Sequence, residues 1–275
     1  MRIDAHQHYW ELGRGDYGWI TPELAPICRD FGPSDLQPHL EPAGIDGTVL
    51  VQAAASEAET HFLLSLAAQA NSRVLGVVGW VDFEASDAAA RVQSLACRRL
   101  LRGLRPVMQD MADLEWMMKP ELSPALSAMA ECGLCFDALI RPQHLPVLRR
   151  FAQRWPQLRI VIDHAAKPRI ATGGFDAWAK DMRMLARDTM MSCKLSGLVT
   201  EAAPGWTWRD LRPYVNVLLQ EFGDKRLLWG SDWPVVNLAG GYEAWREATS
   251  QLLAACSPAQ CEQILGANAV EFYGL

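Results

Sequence analysis

Residues 2–8, Arg2-Ile3-Asp4-Ala5-His6-Gln7-His8, read as a short buried strand that ends in two histidines rather than in a glycine-rich turn. That ending decides between two folds. An open doubly wound sheet normally follows its first strand with a glycine-rich phosphate loop, whereas a closed barrel sets its chemistry at the C-terminal ends of its strands. Seven more apolar or β-branched runs follow: Gly47–Gln52, Val74–Val81, Leu101–Arg105, Cys135–Ile140, Arg159–His164, Met190–Lys194 and Leu227–Ser231. With Arg2–His6 they make eight, and most of the steps between their first residues fit the ~25–35 residues of a βα unit.

Helical periodicity fills the intervals. Glu57–Ala70 follows Ser56, a good N-cap, and repeats apolar residues at helical spacing. Pro124–Glu131 stops at Cys132-Gly133, and Leu145–Arg154 stops before Trp155-Pro156. Asp210–Glu221 ends at Gly223, and Tyr242–Ala255 follows Gly240-Gly241. Strands alternating with helices predict a (β/α)8 TIM barrel in one domain over residues 1–275, a length within the range of single barrels.

Half of the 275 residues are apolar and 21% are charged, the composition of a globular chain with a large core. The 26 Lys+Arg against 32 Asp+Glu leave a net charge of −6, which argues against nucleic-acid and anionic-membrane partners. The start of the chain lacks a signal-peptide core, and no run approaches the ~20 apolar residues of a membrane span. A cytoplasmic protein acting on a small molecule, as a monomer or homodimer, is expected. Seven cysteines cannot all pair within the chain. Cys132-Gly133-Leu134-Cys135 lacks the second pair a zinc site needs, so both thiols are expected in the core.

Polar residues gather at the strand ends: His6 and His8, Arg105, His164, Lys194 with Ser196, and Asp232. His6 and His8 are two apart, so a regular strand points both to one face, with Asp4 a step deeper on that face. Two imidazoles aimed into a barrel mouth hold a divalent metal or donate to an oxyanion. Asp232, between Leu227–Ser231 and Trp233-Pro234, is placed as a base or ligand, or alternatively as a helix cap. Arg105 meets a carbonyl or hydroxyl, or pairs internally. Lys194 points inward by strand parity, to meet substrate or, alternatively, to pair with an acidic neighbour such as Asp137. Lys167 reaches the site or caps its loop. The long insertion Tyr9–Asp35 brings Tyr9, Trp10, Tyr17 and Trp19 and is expected to lie over the mouth as a lid. His39 at a helix start, His61 on a helix and His144 at a helix start read as structural or solvent-facing. Arg98, Arg99 and Arg102 read as a solvated face.

Four segments together are specific: Ile3-Asp4-Ala5-His6-Gln7-His8, Asp163-His164-Ala165-Ala166-Lys167-Pro168, Cys193-Lys194-Leu195-Ser196-Gly197 and Gly230-Ser231-Asp232-Trp233-Pro234. With Leu101-Arg102-Gly103-Leu104-Arg105 and Gln109, they make the chain resemble the amidohydrolase superfamily, and within it the sugar-lactonase branch that opens L-fucono- and L-rhamnonolactones. The resemblance runs nearly end to end. It implies an amidohydrolase-type barrel and hydrolysis of an aldonolactone to the aldonic acid, with Asp232 taking a proton from water and His6, His8 and His164 as its partners. It implies at most one divalent ion, zinc-like, held by His6, His8, His164 and Asp232, or no ion at all, and no organic cofactor. A binuclear site is not expected, because Cys135-Phe136-Asp137-Ala138-Leu139 has no histidine and Arg105 stands where binuclear members carry Lys or Glu. Arg105, Lys194, Trp10, Trp19 and Lys167 are the expected substrate contacts. A decarboxylase or C–C hydrolase of the same superfamily is the alternative, and a non-catalytic binding barrel is a third reading.

Overall fold

Each of the eight runs forms a strand in the computed structural model, which describes residues 1–70 and 72–275. The strands are β1 (Ile3–Gln7), β2 (Gly47–Val51), β3 (Val74–Gly79), β4 (Leu101–Leu104), β5 (Cys135–Ala138), β6 (Ile160–Ile162), β7 (Ser192–Leu195) and β8 (Leu227–Trp229). They pair in parallel in sequence order. The ring closes just beyond β8, where Gln7 bridges Trp233, the His8 amide donates to the Trp233 carbonyl at 2.7 Å, and the Asp232 amide donates to the His6 carbonyl at 2.8 Å.

Strand parity sorts the side chains. Ile3, Ala5, Val49, Val51, Val78, Cys135, Val161 and Leu228 meet inside the barrel, together with Tyr273. Leu50, Val77, Leu104, Phe136, Ile160, Ile162, Cys193, Leu195 and Trp229 face outward into the larger core under the helices. Both faces are buried, which is why the strands read as continuous apolar runs. Six of the eight strands stop short of their expected ends, while β1 and β7 each run one residue past theirs. His164 and Asp232 therefore lie in the loops above β6 and β8, free of the pleat.

The outer ring comprises α1 (Pro33–Ala43), α2 (Glu57–Ala67), α3 (Ala88–Ala96), α4 (Ser123–Glu131), α5 (Leu145–Arg154), α6 (Phe175–Asp188), α7 (Trp208–Phe222) and α8 (Gly241–Leu252). The short helices α9 (Pro258–Glu262) and α10 (Asn268–Tyr273) follow, joined by a π-turn at Gln263–Ala267. α1 begins at Pro33, so His39 lies within it and not at its start, stacked on Tyr242. The internal Pro38 and Pro42 hide this helix from a propensity reading. Of the two core thiols expected in Cys132–Cys135, only Cys135 is buried. Cys132 is exposed, because α4 ends there and turns outward. All seven cysteines are free. No helix among the described residues is long and apolar enough to cross a membrane.

Asp4 does not share the face of His6 and His8. The β1–β2 register shifts between Asp4 and Gln7, so Ala5 and His6 both turn inward while Asp4 points outward. There its carboxylate accepts from the Ser231 amide (2.8 Å), the His6 amide (3.2 Å) and the Tyr242 hydroxyl (3.4 Å). Burial pushes Asp4 up to about 6 despite these bonds. A carboxyl raised in the folded state above its usual 3.8 contributes stability below pH ~4 that is lost as pH rises through about 6. Asp4→Asn removes the penalty and retains an acceptor for both amides. The difference in unfolding free energy between variant and parent, measured in urea, should therefore move in the variant's favour by on the order of 2–3 kcal/mol between pH 4 and pH 8. A difference independent of pH would show an ordinary Asp4 carboxyl.

Candidate active site

Asp232 Oδ1 lies 3.2 Å from His8 Nε2, 3.7 Å from His164 Nε2 and 3.8 Å from His6 Nε2. The four groups expected to act together do meet, at the C-terminal rim of the barrel. They are almost closed off from bulk water, with exposures of 0% for His6, 4% for His8, 3% for His164 and 4% for Asp232. Charges in such a place are poorly screened, so each contact there counts for more than it would at the surface.

Local backbone chemistry puts them there. His6 and His8 leave β1 on the inward face once the register has shifted. His164, Ala165, Ala166 and Lys167 all adopt left-handed φ values, between 50° and 61°, and Asp232 sits at 59°. L-residues avoid this region at a cost of about 1 kcal/mol or more each, and a run of four non-glycines marks strain held in place by the surroundings. Two glycines make room for the rings. A Cβ at Gly197 would stand 2.5 Å from His164 Nδ1, and one at Gly230 would stand 2.7 Å from His6 Cβ.

A second tier of buried charge supports the first. Arg105 crosses beneath the mouth, where one guanidinium nitrogen donates to Asp163 Oδ2 at 3.1 Å and lies 3.4 Å from His6 Nε2, while the other donates to the Gln52 carbonyl. Lys194 Nζ donates to Asp137 Oδ2 at 2.6 Å and lies 3.0 Å from both Asp163 Oδ1 and His6 Nδ1. Burial opposes the charge on Asp163, but Lys194, His6 and Arg105 outweigh it and hold the carboxyl well below its usual range. Asp137 is pushed up by burial, only partly offset by Lys194. His164 is lowered to about 4 by burial, against the pull of Asp232 and Asp163. His6 is lowered well below its usual value by burial and by Lys194. Burial also opposes ionisation of Asp232, yet His164, the His8 contact and His6 hold it well below the usual carboxylate range.

Donor counting shows what the first tier lacks. His8 Nδ1 is 2.7 Å from the Val51 carbonyl, so that nitrogen must carry a hydrogen. In a neutral ring Nε2 is then a lone pair facing the Asp232 carboxylate at 3.2 Å. Two acceptors in that position call for a positive charge between them, a proton or a metal ion. The donor set fits a metal. A tetrahedron with zinc–ligand bonds of 2.0–2.1 Å has edges of about 3.3 Å, close to the 3.2 and 3.8 Å from Asp232 Oδ1 to the Nε2 atoms of His8 and His6, so these three fit as ligands of such an ion. His6, His8 and Asp232 form one cluster able to hold an ion, and His6, Asp163 and His164 form another.

The amidohydrolase family model matches residues 3–275. The chain belongs to the amidohydrolase family. Among its relatives is an L-fucono-1,5-lactonase of Burkholderia ambifaria, 47% identical over 99% of this chain and 95% of the relative. An L-fucono-1,5-lactonase of Burkholderia multivorans is 34% identical over 100% of this chain and 96% of the relative. Among solved structures, an amidohydrolase of Burkholderia multivorans with bound zinc superposes with a TM-score of 0.94 at 33% identity, covering 100% of this chain and 99% of that one.

The other expected contacts of this amidohydrolase fall in three places. Trp19 is 42% exposed, its indole N–H donating to the Ala53 carbonyl above β2. Lys167 stands at the rim, 3.8 Å from Glu201. Trp10 and Lys194 have no exposed surface. The Trp10 N–H is committed to the Arg29 carbonyl, and its ring packs among Tyr17, Trp19 and Phe31, so it underpins the Tyr9–Asp35 loop. Lys194 is committed to Asp137, Asp163 and His6.

Three polar neighbours escaped the sequence reading as site residues, Gln52, Asp137 and Asp163, while Ser196, noted there as a strand-end residue, sets its hydroxyl 2.9 Å from His164 Nδ1. Charge arithmetic offered a signal for two of them, since inward-pointing Arg105 and Lys194 demand two buried carboxylates. Asp163→Asn removes one with little change of shape. The protein should lose about 3–5 kcal/mol of stability at pH 7, the scale for breaking a buried pair, as read from urea unfolding. A loss below 1 kcal/mol would mean that Asp137 alone balances both cations.

Proposed function

We propose that this amidohydrolase opens the ring of a sugar lactone of the L-fucono-1,5-lactone class to give the aldonic acid. The observation that carries the reading is an ionised, almost dry Asp232 within 3.8 Å of three imidazole nitrogens, in a chain 47% identical to an L-fucono-1,5-lactonase.

In this reading Asp232 takes a proton from a water molecule as the water oxygen attacks the lactone carbonyl carbon. Charge develops on the carbonyl oxygen and is met by the N–H of His164, whose Nδ1 is free to accept from the Ser196 hydroxyl. The bond between that carbon and the ring oxygen then breaks, and Asp232 returns its proton to the departing oxygen. His6, His8 and Asp232 are the residues that would hold a zinc ion, with His164 of the expected set outside their cluster, and such an ion when bound would polarise a carbonyl and make water more acidic. Trp19 offers a partly exposed aromatic surface for the sugar ring, and Lys167 a rim donor for its hydroxyls.

Decarboxylation asks for a free cation to seat a carboxylate. Arg105 is already engaged by Asp163 and Gln52, and Arg141 by Asp110 and the Gln109 carbonyl. A neutral lactone makes no such demand.

Asp232→Asn should lower kcat on L-fucono-1,5-lactone at least ~100-fold, the scale of general-base loss, with an unchanged circular dichroism spectrum. A near-native rate after subtraction of spontaneous hydrolysis would remove Asp232 from the role. For the parent enzyme, kcat/KM should hold from pH 8 down to about 5 and fall below about 4, where His164 takes up a proton. A decline centred near pH 6.5 would place an unperturbed histidine in control.

A further inference from the structure

His164 meets the loop above β7 on the edge of its ring that carries Nδ1. The Ser196 hydroxyl lies 2.9 Å from that nitrogen, while Nε2 lies 3.7 Å from Asp232 Oδ1. Ser196 is the first residue beyond β7 and has no exposed surface. Among the described residues, His164 Nδ1 is the only hydrogen-bond partner of its hydroxyl. Gly197 closes on the same edge, where a Cβ would stand 2.5 Å from Nδ1. The reaction derived above calls on the N–H of His164, and these contacts determine which nitrogen bears it.

A neutral imidazole has one ring hydrogen, and burial, which lowers His164 to about 4, keeps the ring neutral at pH 7. Placed on Nδ1, that hydrogen would point at the Ser196 oxygen. The hydroxyl hydrogen, buried with it, would then have no acceptor among the described residues, and the Nε2 lone pair would face an ionised Asp232. Placed on Nε2, it removes both conflicts: the hydroxyl donates to Nδ1 and an N–H faces the carboxylate. An ion shared with His6 and Asp163 does not claim Nε2 either. Asp163 already has Lys194 at 3.0 Å and Arg105 at 3.1 Å, which supply the positive charge its carboxylate demands.

We propose that Ser196 is a positioning residue for the reaction: its hydroxyl, donating to Nδ1, keeps the single hydrogen of His164 on Nε2 and makes that histidine a donor to the reacting carbonyl rather than a ligand of an ion. The three imidazoles then have separate tasks, with His6 and His8 left to the ion and His164 to the oxyanion. The kinetic part of this inference rests on the lactonase reading. The placement of the hydrogen does not.

Ser196→Ala deletes only the hydroxyl. In full-length protein treated with chelator, kcat on L-fucono-1,5-lactone should fall about 10-fold, the scale of one hydrogen bond, with KM unchanged because the charge it supports develops only in the transition state. Nitrogen-15 spectra of histidine-labelled protein, with His164 assigned from its absence in His164→Gln, should show the hydrogen on Nε2 in the parent. In Ser196→Ala the Nδ1 signal should move to the position of an imidazole nitrogen that accepts no hydrogen bond. Thr200→Val is the control for a merely structural effect: it removes a hydroxyl that donates to the Gly197 carbonyl at 2.9 Å on the same loop, and should leave both readouts alone. A parent His164 with its hydrogen on Nδ1 overturns the proposal whether or not any variant folds. So does a Ser196→Ala protein with native kcat or a native Nδ1 signal, or an equal kcat loss in Thr200→Val. A parent inactive on every sugar lactone would sink the lactonase reading and leave the spectra to decide where the hydrogen sits.

Discussion

Two cations without access to water, Lys194 and Arg105, are held inside the barrel by the carboxylates of Asp137 and Asp163. The desolvation of such groups is costly, and only close pairing with filled hydrogen-bond positions offsets it. Strands β4, β5, β6 and β7 each supply or adjoin one member, so half the barrel wall is tied through one electrostatic knot. A hydrophobic filling of the same volume would cost less to bury. What the ionic filling provides is a fixed field under His6 and Asp232, in a place where that field is hardly screened.

Above this tier the backbone is strained, in the run His164–Lys167 and at Asp232. The two segments follow β6 and β8, whose hydrogen-bonded registers end before the reactive side chains begin. Beside them, Gly197 lets the His164 ring and Gly230 lets the His6 side chain approach within distances no other residue permits. The rigid sheet thus supplies position, and the loops supply a side-chain direction that a regular strand cannot.

Much of this was legible in the residues. Eight apolar runs, histidines in place of a glycine turn and polar residues at strand ends point to the barrel and to the four groups around Asp232, and strand parity correctly turns Lys194 inward toward Asp137. The misreadings have physical causes. Asp4 was assigned to the inner face because alternation assumes a regular strand, and the register shift in β1 is set by pairing with β2, which no local pattern encodes. α1 was obscured by its own prolines, tolerated because tertiary packing overrides propensity. Tyr273 could not be singled out, since an aromatic near other apolar residues looks the same whether its hydroxyl meets water or a buried carboxylate.

The seam of the ring has its own consequence. β1 and the segment after β8 are joined through the His6 carbonyl to the Asp232 amide and through the His8 amide to the Trp233 carbonyl, so His6, His8 and Asp232 all sit on the joint itself. Such a joint links strands that are first and last in the sequence, so closing it carries the loop-closure entropy of most of the chain. Opening that seam would dismantle the cluster of His6, His8 and Asp232, so the cluster exists only where the ring is closed.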